Sequence, residues 1–503
     1  MVEINSKQYF IGIDLGTGSA KAVCVDEDGK IIATSQYHYP TINPQPTVSE
    51  QNPESIWDAF VNCLNEVLGE LNSAPSSISF SSAMHSIMPA DAKGTALANA
   101  MLWADSRSAG IAAGLRASSE GEAIYKHTGT AIYAMSPLCK IIWLKQNKPN
   151  LFTEAVKFIS IKEYIWFKLF GVFEVDHSVA SATGMLDIIA LEWYQPSLEL
   201  AGIDSGHLSS PVSTTHLRFL TMENPMFPAL PITTAFVIGA TDGCCANLGG
   251  NAIRPGVAAL TIGTSGAVRV GRSNPVYNYK AMTFNYLLNR NTYICGGAVN
   301  NGGAAVDWLL KSFLKTNTVD DDAYKRLFEQ IEAVEAGSNG LLFLPYLYAE
   351  RAPIWDASSS GAFLGINFKH QQQHFLRAAL EGICFALYDV LQAVEGSSEP
   401  VSEIVVSGGF ISSPVWVQIL ADITGKKLVL LQSGDSSAIG AVYLGMEALG
   451  VDIAPVLKAE SESQTVVEPN AARHKTYSAL FPIYKKLYDD LKDSMHQLKL
   501  LDL

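Results

Sequence analysis

Two short stretches carry the residues best suited to hold a phosphate chain. The first runs Phe10-Ile11-Gly12-Ile13-Asp14-Leu15-Gly16-Thr17-Gly18-Ser19-Ala20-Lys21, and the second runs Ala259-Leu260-Thr261-Ile262-Gly263-Thr264-Ser265-Gly266-Ala267-Val268. Each is an apolar run, a Gly-Thr turn of small residues and a return to apolar residues, which predicts strand, tight turn, strand. Glycines let a backbone approach phosphate closely, and the hydroxyls of Thr17, Ser19 and Thr264 add donors beside exposed N–H groups. One such hairpin in each half of a chain could grip a nucleotide's phosphates from both sides. The copies differ at two chemically telling places: Asp14 and Lys21 in the first are replaced by Thr261 and Val268 in the second. A carboxylate beside phosphates serves a metal directly or through water. Read alone, either hairpin is also compatible with an ordinary Gly-rich turn.

Two further places put reactive side chains at strand ends, where open α/β sheets gather their ligands. The buried strand predicted over Ile78–Ser82 runs into Met84 and His85, and a strand over Ala235–Gly239 ends in Ala240-Thr241-Asp242-Gly243. Asp242 is either a general base or the cap of the helix that follows. Trp103-Ala104-Asp105-Ser106-Arg107 suits a polyol, with hydroxyls on the Asp105 and Arg107 charges and an apolar face on the indole; a surface ion pair would look the same. In the second half, Thr292–Val299 ends in Asn300-Asn301-Gly302-Gly303 and Glu403–Ser407 ends in Gly408-Gly409. Gly-Gly between strand and helix lets a flat ring lie on the backbone, or is simply a tight connection.

The elements that must position these groups follow from periodicity. Lys21–Val25 and Ile31–Gln36 read as strands joined by a turn at 26–30. Asn52 caps a helix with Pro53 in its first turn and a stripe of Ile56, Phe60, Leu64, Val67 and Leu71. Residues 123–184 are expected to be mainly helical, 217–234 to be a connecting loop, and Val257–Gly271 to be the echoing hairpin. A helix after Gly303 should bury Trp308, Leu309, Phe313 and Leu314. Helices are expected over 415–424, 437–450 and 471–500, with a strand at Leu428–Leu431.

Length and composition bound the function. A chain of 503 residues exceeds one core and implies two or three domains. With 48% apolar and 17% charged residues it has globular composition. A net charge of −14 with no Lys/Arg run argues against nucleic acid or anionic membrane as partner. No apolar stretch spans a bilayer, the first nine residues lack a signal-peptide core, and seven cysteines without a CxxC pair read as reduced thiols, all of which points to the cytoplasm.

Taken together, these residues resemble the FGGY carbohydrate kinases. Two long patterns carry the resemblance: Met135-Ser136-Pro137-Leu138-Cys139-Lys140-Ile141-Ile142-Trp143-Leu144-Lys145-Gln146-Asn147, and Gly361-Ala362-Phe363-Leu364-Gly365-Ile366 followed by His374-Phe375-Leu376-Arg377-Ala378-Ala379-Leu380-Glu381. Stretches such as Phe80–Ser86, Trp103–Ser108 and Val175–Met185 are most similar to gluconate kinases, then to xylulose kinases. The resemblance implies an α/β fold of two actin-like (ribonuclease H-like) lobes, residues 1–245 and 246–503, with ATP and sugar in the cleft between them. It implies Asp242 as catalytic base and Asp14 near magnesium, through water. Thr17, Gly18, Ser19 and Lys21 would form the first phosphate loop, and Gly263 and Thr264 the second. Gly302, Gly408, Gly409 and Ser413 would touch the nucleotide, while Gln51, Met84, His85, Asp105 and Arg107 would line the sugar side, with Lys162 a weaker candidate there. Gly18 and Ser413 depart from the residues common in relatives, Thr or Ser and Asn respectively. The implied reaction is ATP-dependent phosphorylation of a sugar acid, gluconate first, or of xylulose or another polyol; a homodimer is compatible with it. A nucleotide-driven actin-like switch is the reading from another class, and a polyol pocket speaks against it.

Overall fold

The computed structural model describes residues 8–315, 321–396, 399–431, 434–462 and 464–501. Its first half is built on β1 (Tyr9–Leu15), β2 (Ser19–Asp26), β3 (Ile31–His38), β4 (Ser77–Ser82), β5 (Leu217–Arg218) and β6 (Ala235–Thr241). Among the described residues these form one sheet in the order β5-β6-β4-β1-β2-β3, with β1, β4 and β6 parallel and the other pairings antiparallel. Four helices matter for the site: α1 (Pro53–Glu70), α2 (Pro137–Asn147), α3 (Ile161–Phe170) and α4 (Asp242–Gly249). The Asn52 side chain accepts from the Glu54 N–H at the start of α1, as its sequence predicts. Residues 123–184 are mainly helical, and the expected loop at 217–234 contributes a two-residue edge strand, β5, that continues the sheet beside β6.

The second half repeats the plan with β7 (Val257–Ile262), β8 (Gly266–Arg272), β9 (Phe284–Asn289), β10 (Thr292–Val299), β11 (Glu403–Ser407), β12 (Lys427–Leu430) and β13 (Thr465–Val467). Their order is β9-β10-β8-β7-β11-β12-β13. In both sheets an antiparallel hairpin stands beside parallel strands that enter from later in the chain. The helices are α5 (Gln372–Glu395), α6 (Pro414–Thr424), α7 (Ser436–Ala448) and α8 (Ala471–Leu500). One expectation fails locally. The helix after Gly302 passes into a wider π turn over Leu309–Phe313, which rotates Phe313 outward to 39% exposure, while Leu309 remains buried.

One helix breaks the separation of the halves. α7 belongs by sequence to the second half, yet it lies on β1, β4 and β6 of the first sheet and against α4. The first sheet is therefore covered on both faces, by α1 and by α7, and β1 and β4 are almost wholly buried. Small residues permit the approach. A Cβ on Gly440 of α7 would stand 1.9 Å from the Cys245 carbonyl oxygen of α4, and one on Gly12 of β1 2.0 Å from the Ala438 carbonyl oxygen. β4 meets α7 with alternating serines, Ser77 and Ser79, under Gly445.

Replacing Gly by Ala inside a helix ordinarily gains up to about 1 kcal/mol. At Gly440 the new methyl meets backbone, so Gly440→Ala is expected to lose about 1–3 kcal/mol instead. Gly114→Ala, on an exposed helix with nothing within 4 Å of its Cβ position, is the control and should be neutral or stabilising. Chemical denaturation of both variants measures the difference, and equal midpoints would mean that α4 and α7 can part without loss.

Candidate active site

The two Gly-Thr hairpins form as their sequences predict. β1 and β2 pair Asp14 with Lys21 across the first turn, and β7 and β8 flank the second. The first turn is braced from behind: the Gln51 amide donates to the Thr17 carbonyl, the Trp103 indole donates to Thr17 Oγ1 at 3.1 Å, and Gln36 donates to Ser19 Oγ at 2.8 Å. Gln51, expected on the sugar side, is buried behind this turn and also donates to Thr41 Oγ1 at 3.2 Å. In the second turn the carbonyls of Gly263 and Thr264 accept from the N–H groups of Gly303 at 2.7 Å and Gly302 at 3.2 Å. Gly408 has φ +104°, and a Cβ there would meet the Ile262 carbonyl oxygen at 2.2 Å, so only glycine fits. Gly409 faces open space, and Ser413 caps α6 by accepting from the Trp416 N–H. Gly263, Thr264, Gly409 and Ser413 share the wall of a cavity of about 760 Å³.

A second cleft, of about 500 Å³, lies between the first residues of α4 and those of α7. Asp242 opens α4, Asp435 immediately precedes α7, and Ser437 Oγ donates to the Asp242 carbonyl at 3.3 Å. Both helices direct their free N–H groups into the cleft, which favours anions there. Lys21 pairs with Asp435, fastening the first hairpin to the start of α7. Asp14 accepts from Ser81 Oγ at 2.7 Å. Burial, and then the neighbouring charge of Asp242, push the Asp14 carboxyl up to about 6. Asp242 is likewise raised by burial, while Arg269, the Gly243 N–H at 2.7 Å and Lys162 hold it down. Lys162 lies beneath this corner. It pairs with Asp176 at 2.6 Å and donates to the Ala240 carbonyl at 3.0 Å, two residues before Asp242.

Met84 and His85 sit at the end of β4. A Cβ on Gly243 would lie 3.1 Å from Met84 Cε and 3.0 Å from Arg269 Nε. His85 has φ +68°, and its carbonyl accepts from the buried Lys140 ammonium at 2.7 Å, which also reaches the Leu102 carbonyl at 2.6 Å. Burial lowers Lys140 to about 7. Burial and Lys140 lower His85 to about 3, so its ring is neutral at physiological pH. That ring bonds the Ala182 carbonyl at 2.9 Å and the Tyr286 hydroxyl at 3.1 Å. Asp105 is buried and accepts from the Ser49 N–H at 3.0 Å and from Arg107. Arg107 also pairs with Glu50 and stacks on Trp143, its Cζ 4.7 Å from the ring centre. Asp105 and Glu50 thus share the Nε–Nη2 edge of its guanidinium.

Sequence reasoning missed Arg269, Tyr286, Arg351 and Asp435. Arg269 had a readable signal, a charge in the middle of the otherwise apolar run Gly266–Gly271 that follows the second turn. Arg351 and Tyr286 had none, because only packing of the halves brings them to His85.

The chain matches the FGGY family of carbohydrate kinases, N-terminal domain, over residues 9–249 and its C-terminal domain over residues 258–449. It is 39% identical to the gluconokinase of Bacillus licheniformis, with 97% of each chain covered, and 29% identical to the xylulose kinase of Bacillus subtilis, with 98% of this chain and 99% of the other covered. Its structure is similar to that of gluconate kinase from Lactobacillus acidophilus, with a TM-score of 0.93 and 32% identity over 98% of this chain and all of the other. A ligand-bound xylulose kinase from the same organism gives 0.92 and 32% over the same extents. Paired phosphate hairpins, a strand-end aspartate between them and full-length similarity in sequence and structure place this chain in the FGGY family of carbohydrate kinases.

Proposed function

We propose that the protein transfers the γ-phosphoryl group of ATP to the terminal hydroxyl of D-gluconate, giving 6-phosphogluconate. The observation that carries the reaction is Asp242, held at the joint of both helix starts with Arg269 beside it. Similarity to gluconokinases at 39% identity supports the acceptor. A xylulose acceptor is the second reading, favoured by the nearly equal likeness to a xylulose kinase structure.

The adenosine would occupy the cavity between the second turn and Ser413, with its phosphates running past Gly408 and Gly409 toward the starts of α4 and α7. Thr17, Gly18 and Ser19 would approach from the opposite side. Phosphoryl transfer needs alignment and charge compensation more than covalent help. Asp242 would accept the hydroxyl's proton as the oxygen bonds phosphorus. Lys162 would act as a positioning residue through the Ala240 carbonyl. Among the described residues no group of three or more metal-ligating side chains is found. A single carboxylate, Asp14, at the mouth of a phosphate cleft fits a cation carried by the phosphates and reached through water. Bound magnesium would neutralise charge on the transferring group.

Asp242→Asn should keep nucleotide affinity and lose on the order of 100- to 10,000-fold in turnover. ADP release over a panel of sugar acids, ketoses and polyols reads this and the acceptor together; near-normal turnover in the variant would remove Asp242 as base, and a preference for xylulose would replace gluconate. Asp14 supplies a second test, in metal- and nucleotide-free protein. Its folded pKa of about 6 exceeds the ordinary aspartate value of 3.8, so the native state binds the extra proton and its ionisation costs stability as pH rises through that window. Asp14→Asn should therefore stabilise the fold by about 1–3 kcal/mol above pH ~6, with the gain fading by pH ~4. It should also depress magnesium-dependent turnover. A gain independent of pH would show that ionisation is not its source.

A further inference from the structure

The proposed acceptor carries a carboxylate, and a buried carboxylate needs a cationic partner. Arg107 is already committed to Asp105 and Glu50. Two other arginines face the sugar side from the second half, and neither has an ion-pair partner among the described residues. Arg269 projects from β8, on the face opposite the buried Val268 and Val270, toward Gly243 and Met84, and so lies where the cleft at the start of α4 meets the sugar side. Its Nε is buried and unpartnered. Arg351 is 9% exposed, with Cζ 5.8 Å from the Trp103 ring centre, Nη2 donating to the Val299 carbonyl at 3.1 Å and Nε buried and unpartnered. The adjacent Glu350 does not neutralise it directly. That carboxylate is taken by Asn301 Nδ2 at 3.0 Å and by the backbone N–H groups of Asn300 and Arg351. Arg269 is near enough to disfavour the Arg351 charge, and the neutral Tyr286 and His85 complete the surround. A half-buried and a buried guanidinium, each with a buried Nε that has no hydrogen-bond partner, together suit an anion.

We propose that Arg269 and Arg351 together hold the substrate's carboxylate, and are the specificity-determining pair that separates sugar acids from neutral sugars. The inference rests on the sugar-acid reading above. Planar guanidinium forks suit a carboxylate. Because both come from the second half while Met84 and His85 come from the first, the acid group would also tie the two sides of the pocket together.

Calorimetric titration of D-gluconate and of D-glucitol, the same chain with a hydroxymethyl group in place of the carboxylate, tests the pair in the full-length protein. Wild type should prefer gluconate. Arg269→Met and Arg351→Met should each weaken gluconate by about 30-fold or more and leave glucitol within about threefold, since only the acid loses a charged partner. Arg269→Lys and Arg351→Lys, which keep the charge without the fork, should fall between and serve if a Met variant does not fold; circular dichroism and the thermal unfolding midpoint report folding. Equal losses on both ligands, a loss confined to one arginine, or unchanged gluconate affinity with reduced turnover would overturn the pair; the last would assign the arginine to the phosphoryl group. A wild type that binds both ligands equally would instead sink the sugar-acid reading itself.

Discussion

The contact between α4 and α7 is the constraint on which the site depends. Two helices from distant parts of the chain approach until a glycine of one rests on a backbone carbonyl of the other, with Gly440 over Cys245 and Gly249 under Ser436. Backbone-to-backbone packing of this kind leaves no side chain to adjust, so the relative position of the helices is stiff. Their first residues are consequently held side by side, and with them Asp242 and Asp435. A cleft lined by two helix starts favours negative charge, and the same contact that closes the hydrophobic interior builds the cleft proposed to take the phosphates.

Charge in this cleft is unevenly shared between acidic and basic groups. Asp14, Asp242 and Asp435 crowd one corner, and the first two are pushed up by burial, Asp14 further by Asp242. Lys21 compensates Asp435, and Arg269 and Lys162 act on Asp242. Lys162 has its own buried partner in Asp176 and reaches the carbonyl before the base, so its charge fixes a strand end. A buried pair of this sort is weak evidence for stability but strong evidence for position, since removing one partner strands the other.

The sugar side is organised by a different device. Lys140, wholly buried, gathers the carbonyls of His85 and Leu102, the two turns that carry the sugar-side residues. It fixes His85 in a left-handed conformation and, by its charge and the surrounding burial, keeps the imidazole neutral. The first half thus offers neutral hydrogen-bonding groups and a self-satisfied Arg107 cluster, whereas unsatisfied positive charge arrives from the second half.

Much was determined by sequence alone. The two hairpins, the strand ends at Ser82, Thr241, Val299 and Ser407, and the capped helix after Asn52 follow from apolar runs, Gly-Thr turns and capping residues, because each depends on neighbours a few positions away. Long patterns such as Met135–Asn147 carried the family. Tertiary structure decided which charges are spent and which are free. Asp105 and Arg107 read equally as a polyol site or an ion pair in sequence, and only the fold brings Glu50 and Ser49, more than fifty residues distant, to them. Gln51 is tied to Thr17 behind the first turn while lining a cavity with Met84 and Trp103, and α7 lies on the first sheet, for the same reason. Partners far apart in the chain leave no periodic trace, and whether a buried cation is paired is a property of the packed interior rather than of any stretch of sequence.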